Sequence, residues 1–126
     1  MKTHWLSCLL AMVCFATAVV GAEKQKPATI EGYVLDSACA FVRDVKKPLG
    51  GGQCAIDCAK AGSPLVVLTD DGKIYWPISD AMPAVGQNAR LMEFAGKRVV
   101  AKGTVYERGG SLAMVIEKIE AKADTK

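Results

Sequence analysis

Ile30-Glu31-Gly32-Tyr33-Val34-Leu35-Asp36 alternates, with Ile30, Gly32 and Val34 facing one way and Glu31, Tyr33 and Leu35 the other. A period of two places successive side chains on opposite faces of a pleated strand, so residues 29–36 read as strand one. Ser37-Ala38-Cys39 follows at once. Lys46-Lys47-Pro48 and Gly50-Gly51-Gly52 then break any regular element, which predicts a long, mobile excursion up to Gln53. Three consecutive glycines invite a phosphate-cradling reading, but no Gly-Lys-Ser or Gly-Lys-Thr leads into the helix that follows, and that reading falls.

Outward from this stretch the chain remains strand-rich. Gln53 to Ala61 is made of good helix formers and stops at Gly62-Ser63-Pro64, so it reads as a two-turn helix with Cys54 and Cys58 stacked on one face. Leu65–Asp70 and Lys73–Ile78 are apolar, β-branched runs joined by Asp71-Gly72, a strong hairpin signal. Ile74, Trp76 and Ile78 should share a face, with Trp76 largely buried, and Pro77 marks an edge or an end. Residues 79–87 read as a loop, after which Asn88 is expected to cap a short helix carrying Leu91 and Phe94 and ending at Gly96. In residues 97–107, Val99, Ala101, Gly103 and Val105 face one way, and Gly103 in mid-strand suggests a bulge of the kind that closes a small barrel. Arg108-Gly109-Gly110-Ser111 connects to a last strand over residues 112–120. The expected fold is all-β with short helices, a five-stranded barrel with the cysteine-bearing helix inserted between strands one and two.

The ends bound the compartment. Lys2, an apolar run from Leu9 to Val20, and the small residues Val20 and Ala22 before Glu23 have the form of a secretory signal, residues 1–22, cleaved after Ala22. The run is shorter than the roughly 20 apolar residues that span a bilayer, so no membrane insertion is expected once the signal is removed. Cys8 and Cys14 lie inside the run, not after a small-residue box, which argues against a lipid anchor. Residues 23–28 read as a flexible lead-in, 29–121 as the domain and 122–126 as a charged tail. With 16 basic and 13 acidic residues interspersed along 126 positions, neither nucleic acid nor an anionic membrane is suggested. The single histidine, His4, leaves with the signal, so no imidazole serves general acid-base catalysis or metal ligation. The expectation is a secreted or periplasmic protein that is not an enzyme.

A helix between the third and fourth of five strands is the order of the OB-fold barrel, and Gly96-Lys97-Arg98-Val99-Val100 with Gly103-Thr104-Val105 looks like its fourth strand. The chain also resembles a group of small secreted bacterial OB-like domains of unassigned function. The resemblance rests on Gly32 to Cys39, the Cys54 and Cys58 pair, Asp70-Asp71-Gly72-Lys73, and Gly96-Lys97 with Gly103. A barrel of this kind in an exported compartment is expected to be a non-enzymatic binding module, and a protein, a peptide or an oligosaccharide fits that compartment as partner better than nucleic acid. Members of that group often carry a histidine near the cysteines, and here there is none.

Cys39, Cys54 and Cys58 are left after signal removal, an odd number in an oxidising compartment. One reading is a disulfide from Cys39 to Cys54 or Cys58, which would close a loop of about 15 residues and stabilise the domain by roughly 3 kcal/mol. The other is a three-thiolate site for Zn or Cu, completed by Asp36 or Asp57. Thiol-disulfide catalysis lacks both a Cys-x-x-Cys pair and a basic neighbour to lower a thiol pKa. Met82, Met92 and Met114 are too scattered for a copper-binding cluster and read as core filling.

Overall fold

The computed structural model describes residues 24–124, and no helix among them is long and apolar enough to cross a membrane. The signal reading, residues 1–22, lies outside the described residues, as does Glu23. Strand β1, Lys24–Asp36, is followed by helix α1, Ser37–Val42, a tight turn over Leu49–Gly52, and helix α2, Gln53–Lys60. Strands β2, Leu65–Thr69, and β3, Ile74–Pro77, form the hairpin. Helix α3, Asn88–Leu91, runs on as a 3-10 turn, Met92–Phe94, before β4, Arg98–Arg108, and β5, Ser111–Ala121.

These strands close into a barrel in the order β1-β2-β3-β5-β4, with β4 returning to β1. Every pairing is antiparallel except β3 with β5, where Tyr75 lies opposite Leu112. This is an OB-like barrel, with the cysteine-bearing α2 inserted between β1 and β2. The alternation in the sequence decides what fills it. Ile30, Val34, Val67, Val99, Ala101 and Met114 point into one core, and Leu91 of α3 plugs it with 1% of its surface exposed. The opposite face of β1 and β2 supplies Tyr33, Leu35 and Leu68, a smaller cluster outside the barrel.

Gly103 closes the sheet. The β4–β5 register shifts between Lys102 and Gly103, and a Cβ on Gly103 would lie 2.0 Å from the carbonyl oxygen of Val115. Only a residue without a side chain permits that approach, so the bulge and the bend follow from one position.

Four expectations are corrected. Residues 24–28 are no lead-in tether but the first part of β1, paired from Lys24 opposite Glu107 to Ala28 opposite Gly103. This part of the strand has β4 on one side only, so the missing N–H of Pro27 is tolerated. Residues 37–42, expected within an irregular excursion, form α1. Trp76 is half-buried on the outside of the barrel, stacked on Phe41 of α1 with ring centroids 5.9 Å apart. The cause is register: Tyr75 pairs with core residue Val67 and packs against the core, which turns Ile74 and Trp76 outward. Asn88 does not cap α3. Its side chain accepts from the Leu65 N–H at 2.9 Å and donates to the Ser63 carbonyl at 2.8 Å, tying α3 to the junction of α2 and β2.

The tail is also held. Arg98, its side chain 13% exposed, donates Nε to Glu31 Oε1 at 2.9 Å and Nη1 to Asp70 Oδ1 at 3.0 Å, with its guanidinium 5.3 Å from the Tyr33 ring centroid. Lys122 Nζ reaches Glu31 Oε2 at 2.8 Å, and Tyr33 Oη donates to Asp124 Oδ1 at 2.7 Å. One network therefore spans β1, the turn after β2, β4 and residues 122–124.

Two predictions follow from the barrel. Gly103→Ala forces backbone against backbone and should cost at least about 2 kcal/mol, a drop of about 8 °C or more in the melting temperature. Lys122 and Arg98 together hold the Glu31 carboxyl below its ordinary range, and Arg98 does the same to Asp70. A depressed carboxylate binds fewer protons folded than unfolded, so its stabilisation is present above about pH 4 and fades as pH falls below it. Arg98→Met should flatten the acid limb of a stability-against-pH curve, and a curve of unchanged slope would show that the network does not contribute.

Candidate functional site

The site is built where β1 ends. Asp36 terminates the strand and caps α1: its Oδ2 accepts the backbone N–H of Cys39 at 3.1 Å, satisfying one of the donors a helix start leaves free. The Ser37 N–H meets the Pro64 carbonyl at 2.8 Å, and Ser63 Oγ approaches Asp36 Oδ2 at 3.5 Å. The end of β1, the start of α1 and the loop after α2 thus converge on one carboxylate. Asp36 is 1% exposed, and its other oxygen, Oδ1, has no hydrogen-bond partner.

Helix α2 faces it. Ala55 and Ala59 bury one side against the barrel core, and the neighbouring stripe presents Cys54 and Cys58. The helix ends as its composition predicts, with the Gly62 N–H on the Ala59 carbonyl at 3.1 Å and the Ser63 N–H on the Cys58 carbonyl at 3.0 Å. Its start is fixed by Gly52, whose α-carbon lies so near Gly96 that a Cβ on Gly96 would come within 2.2 Å of it. Gly96 in turn donates its N–H to the Val34 carbonyl at 2.7 Å, so α2 is referenced directly to the barrel wall.

The ligating atoms of Asp36, Cys54 and Cys58 all lie within 4.8 Å of one another. Cys39 Sγ, from α1, comes to 3.6 Å from Cys54 Sγ. The three cysteines are free thiols in this structure, and 3.6 Å is well beyond the roughly 2.05 Å of a disulfide bond. A cavity of about 10 Å³, lined by Asp36, Cys39, Cys54, Lys47 and Leu49 among others, lies between the two helices. That is space for about one water-sized occupant.

Asp57 does not join the group. It is exposed and accepts from Gln53 Nε2 at 2.8 Å one turn earlier on α2. The position of Asp36 as cap and the presence of α1 escaped sequence reasoning, although Asp-Ser-Ala-Cys at the end of a strand is a helix-start signal. A larger concavity, about 540 Å³, lies elsewhere, on the outer face between Tyr33, Phe41, Lys47, Leu68, Asp70 and Ile74, and is lined by no cysteine.

Electrostatics at the site favour neutral thiols. Burial, then the Asp36 carboxyl and Cys54, push the Cys39 thiol up to about 12. Burial, followed by the charge of Asp36 and by Cys54, raises Cys58. The thiolate is the nucleophile, so these groups are the reverse of an activated catalytic cysteine. In reduced protein at pH 8, iodoacetamide should modify Cys39 more than about tenfold more slowly than an unperturbed cysteine; labelling at the free-cysteine rate, read by peptide mass, would contradict this environment. Comparison of the chain with protein-family models, curated proteins and solved structures finds no match.

Proposed function

We propose that this protein is a non-enzymatic binding module of the secreted or periplasmic compartment whose ligand is a single thiophilic metal ion, Zn(II) or Cu(I), held by Cys39, Cys54 and Cys58. One observation carries the reading: Cys54 stands within 4.8 Å of Cys58 and of a carboxylate oxygen of buried Asp36 and 3.6 Å from Cys39 on a separate helix, beside a cavity of about 10 Å³ lined by Asp36, Cys39 and Cys54. Thiolates suit both ions, and an ion arriving there would convert neutral thiols to thiolates with release of protons. Among the described residues there is no histidine, and the Cys39 and Cys58 thiols are raised in pKa, the opposite of an activated nucleophile, which supports a non-catalytic reading.

A second reading has its own support. Cys39 and Cys54 are the sulfurs in contact, at 3.6 Å, so oxidation would join this pair and leave Cys58 as the remaining thiol. The bridge would tie the end of β1 to α2 and stabilise the domain by roughly 3 kcal/mol in the chain-entropy account. The two readings differ in a thiol count.

Reduced protein, freed of metal and mixed with Zn(II) or Cu(I), should retain about one ion per chain after gel filtration, with no thiol then open to titration. Cys54→Ser removes the sulfur nearest the other donors. Outer-shell partners alone are worth about 10–100-fold in metal affinity, so losing this ligand should cost at least about 100-fold. Protein that keeps no ion under reducing conditions, and yields a Cys39–Cys54 peptide when isolated from an oxidising compartment, would favour the disulfide reading instead.

A further inference from the structure

Asp36 has two oxygens with different duties. Oδ2 is engaged as the cap of α1 by the Cys39 N–H and approached by Ser63 Oγ, while Oδ1 is buried with no partner. Burying a carboxylate oxygen without a partner is costly, and such an atom is expected to have one when the site is complete. An Asp36 carboxylate oxygen lies within 4.8 Å of the sulfurs of Cys54 and Cys58, whose S–H groups are weak donors while neutral and offer no donor once metal binding deprotonates them. A cation can satisfy all three at once.

We infer that Asp36 Oδ1 is the fourth ligand of the site, making a tetrahedral three-sulfur, one-oxygen set that takes a divalent ion of the Zn(II) class. The inference rests on the metal reading above and specifies the ion. At Zn–S distances of about 2.3 Å and Zn–O distances of about 2.0–2.2 Å, donors on a tetrahedron stand roughly 3.5–3.8 Å apart. Cys39 and Cys54 already stand at 3.6 Å, and Asp36, Cys54 and Cys58 lie within 4.8 Å of one another, so Cys54 is near each of the other donors and the shell forms as they draw in around one ion. A carboxylate oxygen is a hard donor. It suits a four-coordinate divalent ion and adds little to Cu(I), which is satisfied by soft sulfur alone. The Cys39 N–H on Oδ2 fixes the carboxylate so that Oδ1 alone is presented.

The double duty of Asp36 suggests the test. Asp36→Asn keeps a side-chain oxygen to accept the Cys39 N–H but loses the anionic ligand, and circular dichroism of the metal-free protein checks that the barrel remains. Zn(II) affinity, by competition with a chromophoric chelator, should fall at least about 30-fold in Asp36→Asn, within the range that ligand-environment changes produce. Cu(I) affinity, by competition under anaerobic reducing conditions, should change less than about threefold. Equal losses for both ions, or an unchanged Zn(II) affinity, would overturn the role of Asp36. X-ray absorption on the Zn(II)-loaded wild type gives an answer independent of whether the variant folds: three sulfurs near 2.3 Å with one oxygen near 2.0 Å are expected, and a shell without oxygen overturns the inference. A wild type that binds neither ion rejects the metal reading itself.

Discussion

The hydrogen bond from the Cys39 N–H to Asp36 Oδ2 fixes both the fold and the chemistry at one end of the barrel. It ends β1, because the capped backbone turns from extended geometry at Asp36 into a helix. It also sets the phase of α1, and with it the direction of Cys39. Had the strand continued three residues further, Cys39 would stand on a sheet face and the sulfurs of α2 would have no third neighbour. The cap is buried, so water does not compete for it, and the carboxylate is positioned by the same bond that makes its second oxygen available.

The elements that read well from the sequence are those governed by short-range rules. Alternation in β1 and β4, the Asp71-Gly72 turn and the need for a glycine at position 103 depend on residues a few positions apart, and each stands as expected. The elements that read badly depend on partners distant in sequence. Lys24 to Ala28 carry little apolar pattern and become a strand because β4 extends far enough to pair with them. Trp76 faces outward because the register with β2 assigns the interior to Tyr75, a choice that the hairpin alone does not reveal. The three cysteines and Asp36 are visible as candidates in the chain. That Asp36 belongs with them depends on the end of β1 meeting the cysteine face of α2, and Asp57 is left out because it lies on the exposed side of α2, bonded to Gln53.

Barrel wall and site use different polar contacts, while Ala55 and Ala59 of α2 share the barrel core. The polar network around Arg98 joins β1, the turn after β2, β4 and the C-terminal segment on the outer wall and includes none of the cysteines. The cysteine helices are held instead by the Asp36 cap, the Ser37 to Pro64 hydrogen bond and the glycine contact. A ligand drawing α1 and α2 together would stabilise this second set with little effect on the first. The wall supplies a fixed reference against which the two helices can adjust.

The parallel pairing of β3 with β5 has a consequence for motion. β3 is held on one side at Val67–Tyr75 and Leu68–Ile74 and on the other only from Tyr75–Leu112 to Pro77–Met114, whereas β4 pairs with its neighbours along its whole length. Local opening starts where the fewest ladder bonds must break, so the barrel has a built-in seam at β3. Trp76 lies on that seam and rests on Phe41, the residue two positions beyond Cys39 in α1. Breathing of the seam is thereby felt at the helix that carries one of the sulfurs, and the indole is an intrinsic reporter of it.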